Sequence, residues 1–122
     1  ILKFANKYDP QPFHIDKNMA ETSIYGGLIA SGFQTIAVGA GQWLRTGLQE
    51  GTGMGGPGLS NIRWLAPVRP GDILETNVEV TNSRESRSKP DRGLVWFYYT
   101  MRNNNEVVAT FTAIIQIKKR PV

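Results

Sequence analysis

Cysteine is absent from these 122 residues, and histidine occurs once, at His14. No disulfide or thiolate metal ligand can therefore form. A zinc site would have only carboxylates beside that one imidazole, so no metal site is expected. No apolar run approaches the roughly 18 residues of a membrane span, and no signal-peptide pattern is visible. The expectation is a cytoplasmic protein with no membrane partner. An excess of one charge sign is nearly missing too: 14 Lys and Arg stand against 10 Asp and Glu, a net charge of +4. Such a balance suits an anionic ligand as well as none. The basic residues do not interleave with aromatics along a helix, so nucleic acid is not an expected partner. The chain opens on Ile1 rather than methionine, so an N-terminal piece could precede it. At 40% hydrophobic and 20% charged residues, the composition is that of an ordinary globular protein. The length suggests one domain over 1–122 with a single core.

What is present is concentrated in Tyr8-Asp9-Pro10-Gln11-Pro12-Phe13-His14-Ile15-Asp16. Proline fixes its own φ and pushes the residue before it out of the helical region. Asp9 and Gln11, each preceding a proline, should be extended, and the stretch should be a stiff turn rather than a helix interior. Such a turn can hold a carboxylate near an imidazole, orienting the ring for acid–base work near neutral pH. A plain structural Asp–His pair is the competing reading of these residues alone.

Along the rest of the chain, Phe4-Ala5 could close a small helical turn, and Asp16 suits the N-cap of a brief helix over Lys17 to Glu21. Tyr25-Gly26-Gly27 reads as a tight turn. From Leu28 to Glu50, apolar residues recur at three- and four-residue steps, which predicts a long helix buried on most sides. Gly32, Gly39 and Gly41 each cost about 1 kcal/mol of helix propensity against alanine, so something should pack closely there. Gly51 to Gly58 lacks the Gly-Lys-Ser/Thr of a phosphate-binding loop and reads as a flexible connection. Beyond it the period becomes two. Strands are expected over Leu59 to Leu65, Asp72 to Asn82, Leu94 to Asn103 and Glu106 to Lys118. The charged segment 82–93 forms a loop, and Asn103-Asn104-Asn105 a hairpin turn. Several antiparallel strands curling round one apolar helix make an α+β fold. Its open edges favour a homodimer or higher homo-oligomer.

Three blocks of this sequence resemble a known family: Asp9-Pro10-Gln11-Pro12-Phe13-His14-Ile15-Asp16, Tyr25-Gly26-Gly27-Leu28-Ile29-Ala30-Ser31-Gly32, and Trp64-Leu65-Ala66-Pro67-Val68-Arg69-Pro70-Gly71-Asp72. In order and spacing, from about Phe4 onward, they look like the MaoC-like dehydratases, relatives of the (R)-specific enoyl-CoA hydratases. The family's signature is Asp, any residue, Asn, Pro, an aliphatic residue and His. Asp9, Pro12 and His14 match it, while Gln11 stands at the Asn and Phe13 at the aliphatic position. Tyr25-Gly26-Gly27 stands where His-Gly-Met or His-Gly-Leu is usual. The resemblance implies a hot dog fold, a long central helix wrapped by a curved antiparallel sheet. It implies that Asp9 and His14 activate a water, that the Gly26 amide receives a thioester oxygen, and that no cofactor is needed beyond the coenzyme A of an acyl-CoA substrate.

The chemistry can be argued from the residues as well. Adding water to a double bond conjugated to a thioester needs a base for the water, an acid for the α-carbon and a donor for the enolate oxygen. An Asp–His pair supplies the first two. Unpaired amides at a helix start supply the third, and Gly26 and Gly27 let a ligand approach the backbone closely. Gln11 either holds the attacking water or orders the turn, and Ser31 either steadies the site or fills a packing gap. Arg63, Arg69, Arg84, Arg87, Lys89 and Arg92 read as solvated cations, with contact to coenzyme A phosphates as the alternative. Trp43, Trp64 and Trp96 read as core or dimer contacts. The competing functions are a hot dog thioesterase, which needs no Asp–His pair, and a non-catalytic acyl-thioester-binding subunit. Coenzyme A against carrier protein stays open.

Overall fold

The computed structural model describes residues 1–120. Three short helices lead the chain: α1 (Leu2–Tyr8), α2 (Pro12–Ile15) and α3 (Lys17–Thr22). The central helix α4 (Gly32–Arg45) follows, and then the strands β1 (Gly58–Trp64), β2 (Glu75–Glu85), β3 (Arg92–Arg102) and β4 (Val107–Lys118). The strands form one antiparallel sheet in the order β1-β4-β3-β2. This is the helix-and-sheet arrangement expected of a hot dog fold. Among the described residues no helix is long and apolar enough to cross a membrane.

The core lies where the two central strands face α4. Phe97, Tyr99 and Met101 of β3 and Val108, Ala109 and Phe111 of β4 are buried. Tyr99 stacks on Phe111 with ring centroids 4.3 Å apart, and burial pushes its phenol up to about 12. Close packing explains two of the helix glycines: a Cβ at Gly39 would meet the Met101 side chain, and one at Gly32 would meet the Trp64 indole, whereas one at Gly41 would meet only Arg45 of the same helix.

Three expectations are corrected. The helix runs from Gly32 to Arg45, not from Leu28 to Glu50. Residues 28–30 are non-helical, and the Ala30 N–H donates to Val68 O at 2.8 Å. Ser31 then caps α4, its Oγ accepting from the Phe33 N–H at 3.3 Å. Second, α4 is not buried on most sides: Phe33 is 62% and Leu44 55% exposed, because a four-stranded sheet lies against only one side of it. Third, the glycine-rich stretch is tied to β4. The Met54 N–H donates to Gln116 O and the Gln116 N–H to Gly55 O, both at 2.8 Å. The strand boundaries shift as well. β2 and β3 reach into the expected 82–93 loop, shrinking it to residues 86–91.

Candidate active site

Residues 9–31 build one corner of the molecule. Asp9 closes α1, its N–H donating to Ala5 O at 2.8 Å. Gln11 is extended (φ −76°, ψ 144°), as a residue before proline should be. Pro12 occupies the first position of the one-turn helix α2, where its missing N–H costs nothing. His14 therefore sits on a helical turn rather than in a purely extended bend. Asp16 ends that turn and caps α3, accepting from the Asn18 and Met19 N–H groups at 2.9 and 3.1 Å, so it is a cap as expected.

The non-helical segment 29–31 then fixes both ionisable groups. Its Ile29 N–H donates to Phe13 O at 3.2 Å. The His14 ring is 4% exposed as a residue and donates from Nδ1 to Ile29 O at 2.8 Å. A carbonyl can only accept, so Nδ1 carries a proton and Nε2 is the nitrogen left for proton traffic. Nε2 faces Asp9 Oδ2 at 3.3 Å. The same Oδ2 accepts from the fully buried Ser31 hydroxyl at 2.7 Å, and Oδ1 accepts from Gln11 Nε2 at 2.8 Å. Burial works to raise the Asp9 carboxyl. The Ser31 hydroxyl, the Gln11 amide and the positive charge of His14 outweigh it and hold the group below the usual carboxylate range. Asp9 is thus kept as an anion.

Asp9, Gln11 and His14 line a cavity of about 490 Å³. Its remaining wall includes Phe13, Tyr25, Phe33, Trp64 and Leu65. Phe13 meets Tyr25 edge-on at 5.2 Å, and Phe33 meets Trp64 at 6.0 Å. Gly32, the first residue of α4, also lines it. The first amides of a helix have no partner inside it and sit at the positive end of its dipole. With Phe33 capped by Ser31, the Gly32 amide is the opening N–H of α4 nearest the acid–base pair in the chain.

The structure treats the predicted site residues differently. Asp9, His14, Gln11 and Ser31 come together. Gly26 does not join the cavity wall. Its φ is +66°, and its N–H donates to Ser23 O at 3.1 Å, closing the turn after α3. The turn is held from outside by Arg69, whose Nη2 donates to Tyr25 O at 2.6 Å. Gly27 lies beside that guanidinium. Of the basic residues weighed for phosphate contact, Arg69 alone lines one of the two larger cavities, the second of which measures about 650 Å³. Arg92 instead pairs with Asp91 at 2.9 Å. Sequence reasoning missed Trp64 as a cavity residue. Its place beside Pro67 and Arg69 in one of the quoted blocks was the available signal. The Ile29 carbonyl was missed because a backbone acceptor carries no residue signature.

Comparison with known proteins gives a consistent result. A family model for the MaoC like domain matches residues 1–94. YdeM of Bacillus subtilis is 32% identical over 107 residues, which are 88% of this chain and 74% of that protein. The 3-hydroxybutyryl-CoA dehydratase of Methylorubrum extorquens is 28% identical over 116 residues, covering 92% of this chain and 66% of that one. Among solved structures, a MaoC-like dehydratase from Rhodospirillum rubrum superposes with a TM-score of 0.88 at 36% identity, over 99% of this chain and 83% of that one.

Proposed function

The chain belongs to the MaoC-like dehydratase family, and from that premise we propose that it is a hydro-lyase acting on an enoyl thioester, with an acyl-CoA as substrate. The observation that carries this reading is the meeting of Asp9 Oδ2 and His14 Nε2, 3.3 Å apart, on the wall of a cavity that also reaches the start of α4.

In the hydration direction, a water held between the two groups loses a proton to the Asp9 carboxylate as its oxygen attacks the β-carbon. The π electrons move to the thioester oxygen. The resulting enolate takes a proton at its α-carbon from His14 Nε2, and the proton on Asp9 then returns to the imidazole across the short gap between them. One water is added and both groups are restored. Backbone N–H groups receive the enolate oxygen. The Gly32 amide fits this task because it opens α4 at the cavity, whereas the Gly26 amide would first have to leave Ser23 O. No cofactor enters beyond the substrate's own coenzyme A.

A homodimer is part of the same reading. β1 is an edge strand, and Leu59 and Trp64 on it are each half exposed, next to exposed Leu65 and Phe33. Phe33, Trp64 and Leu65 also line the cavity, so a second copy lying there would cover apolar surface and close the pocket.

The test is a spectrophotometric assay of the purified protein with crotonyl-CoA and longer or branched 2-enoyl-CoAs. Loss of the enone absorbance that vanishes in Asp9→Asn and His14→Ala is expected. Absence of turnover with every chain length overturns the reading. Release of free thiol that survives His14→Ala turns it into a thioesterase.

A further inference from the structure

Both oxygens of the Asp9 carboxylate are hydrogen-bonded by side chains that the acid–base step does not use. We propose that Gln11 and Ser31 are positioning residues that clamp the Asp9 carboxylate by its two oxygens and hold it off the imidazole. This rests on the hydro-lyase reading for its catalytic consequence, but not for the clamp itself.

An N–H···O bond between unrestrained partners settles near 2.9 Å. The His14 Nε2 to Asp9 Oδ2 separation is 3.3 Å, longer than either clamping bond, at 2.8 Å from Gln11 and 2.7 Å from Ser31. The carboxylate thus sits closer to the Gln11 amide and the Ser31 hydroxyl than to the imidazole. With an oxygen fixed at each end it cannot rotate about Cβ–Cγ to close on the ring. A direct, well-formed ion pair would occupy Nε2 and the facing lone pair together, and both are needed for water and substrate. The clamp keeps the pair open.

The two jaws differ. Ser31 is fully buried and has two tasks, since its oxygen also caps α4. Its proton goes to Asp9, so the carboxylate is set in register with the helix start that carries the Gly32 amide. Gln11 is exposed, and its side chain makes no capping bond to α2. Its one side-chain hydrogen bond among the described residues is the one to Asp9. Gln11 can therefore be altered with little effect on folding. Its position is the one at which the family signature carries the shorter Asn. Among the described residues, His14 is the one ionisable group paired with Asp9.

The experiment uses Gln11→Met, which keeps length and loses the donor, and Ser31→Gly, a tolerated N-cap without a hydroxyl. Two readouts are taken. Asp9 is followed by carbon-detected NMR titration of its carboxyl, and crotonyl-CoA hydration is measured for kcat and KM separately. Both variants are expected to raise the titration midpoint of Asp9. Each is expected to lower kcat, by about tenfold for Gln11→Met and more for Ser31→Gly, with KM little changed. Gln11→Asn, too short to reach the same oxygen with the same geometry, is expected to fall between wild type and Gln11→Met. In an Asp9→Asn background neither variant should lower the residual rate further. An unmoved Asp9 midpoint in folded Gln11→Met together with wild-type kcat overturns the proposal. If the wild type turns over no enoyl-CoA while the midpoint still rises, the clamp stands and the hydro-lyase reading falls.

Discussion

The corner at residues 9–31 and the far end of the sheet, around residues 85–92 and 116–119, both pair acids with bases, and the pairs invert the usual reading of distance. At the sheet end Lys119 Nζ meets Glu85 at 2.7 Å and Arg92 Nε meets Asp91 at 2.9 Å, with the two carboxylate side chains 80% and 59% exposed. In the corner the separation is 3.3 Å, but the imidazole and carboxylate side chains are 6% and 13% exposed. Exposed pairs exchange their partners for water at little cost and are screened by salt. A group in the corner has no such exchange, and each of its polar atoms must find a partner in the fold. The lesson is that the closer contacts belong to the less consequential region. What marks the corner is the number of independent donors converging on one carboxylate.

The sharpest way to break that contrast is to remove the corner's ionisable groups. His14→Ala and Asp9→Asn are expected to lower kcat for crotonyl-CoA hydration by about a thousandfold, the scale of a lost acid or base. A rate within tenfold of wild type in either variant would erase the distinction between the regions. Next in size is Gly32→Ala. Its new methyl meets the Trp64 indole, and overpacking of this kind costs about 1–3 kcal/mol. A lowered urea midpoint together with reduced turnover is expected. An unchanged midpoint would mean that Trp64 swings away freely.

A smaller effect comes from acidification. The folded Asp9 carboxyl lies below the ordinary value of an aspartate, about 3.9. Its contribution to stability is therefore fully present above that value and is lost as the pH falls through the folded pKa. Urea midpoints of wild type and Asp9→Asn, measured from neutral pH downward, should converge below about pH 4. A gap that stays constant with pH would show that the carboxylate's charge adds nothing. The smallest change is expected at the sheet end. Lys119→Gln should leave turnover and the urea midpoint as in the wild type. Loss of activity there would tie the exposed pairs to the site.

The sequence showed the corner unevenly, and the reasons are physical. Asp9 and His14 were legible because prolines on either side of Gln11 stiffen a short stretch, and local stiffness is written locally. The Asp16 cap was legible for the same reason. The start of α4 was not. Leu28, Ile29 and Ala30 continue the apolar period backward from the helix, but Ala30 donates to Val68 O, a partner far along the chain that no local pattern reports. The exposure of Phe33 and Leu44 was hidden similarly, since periodicity says which face is apolar and not whether one chain has enough sheet to cover it. The bond from the Gly26 N–H to Ser23 O was not legible, because a Gly pair fixes a turn's shape without saying which carbonyl closes it. The glycine-rich stretch looked flexible by composition, and its bonds to Gln116 are backbone bonds that any residue type can make.

Those bonds have a consequence for the margin of the sheet. Residues 53–55 run along the same margin of β4 as β1 does, so β1 and this stretch together form the rim of the sheet on that side. Glycines and Pro57 make the neighbouring stretch a poor template for a foreign strand. β1 itself is bent by a bulge between Ser60 and Arg63, where Asn61 has a φ of 51°. A kinked rim of seven residues bounded by such a guard limits how a neighbour can add.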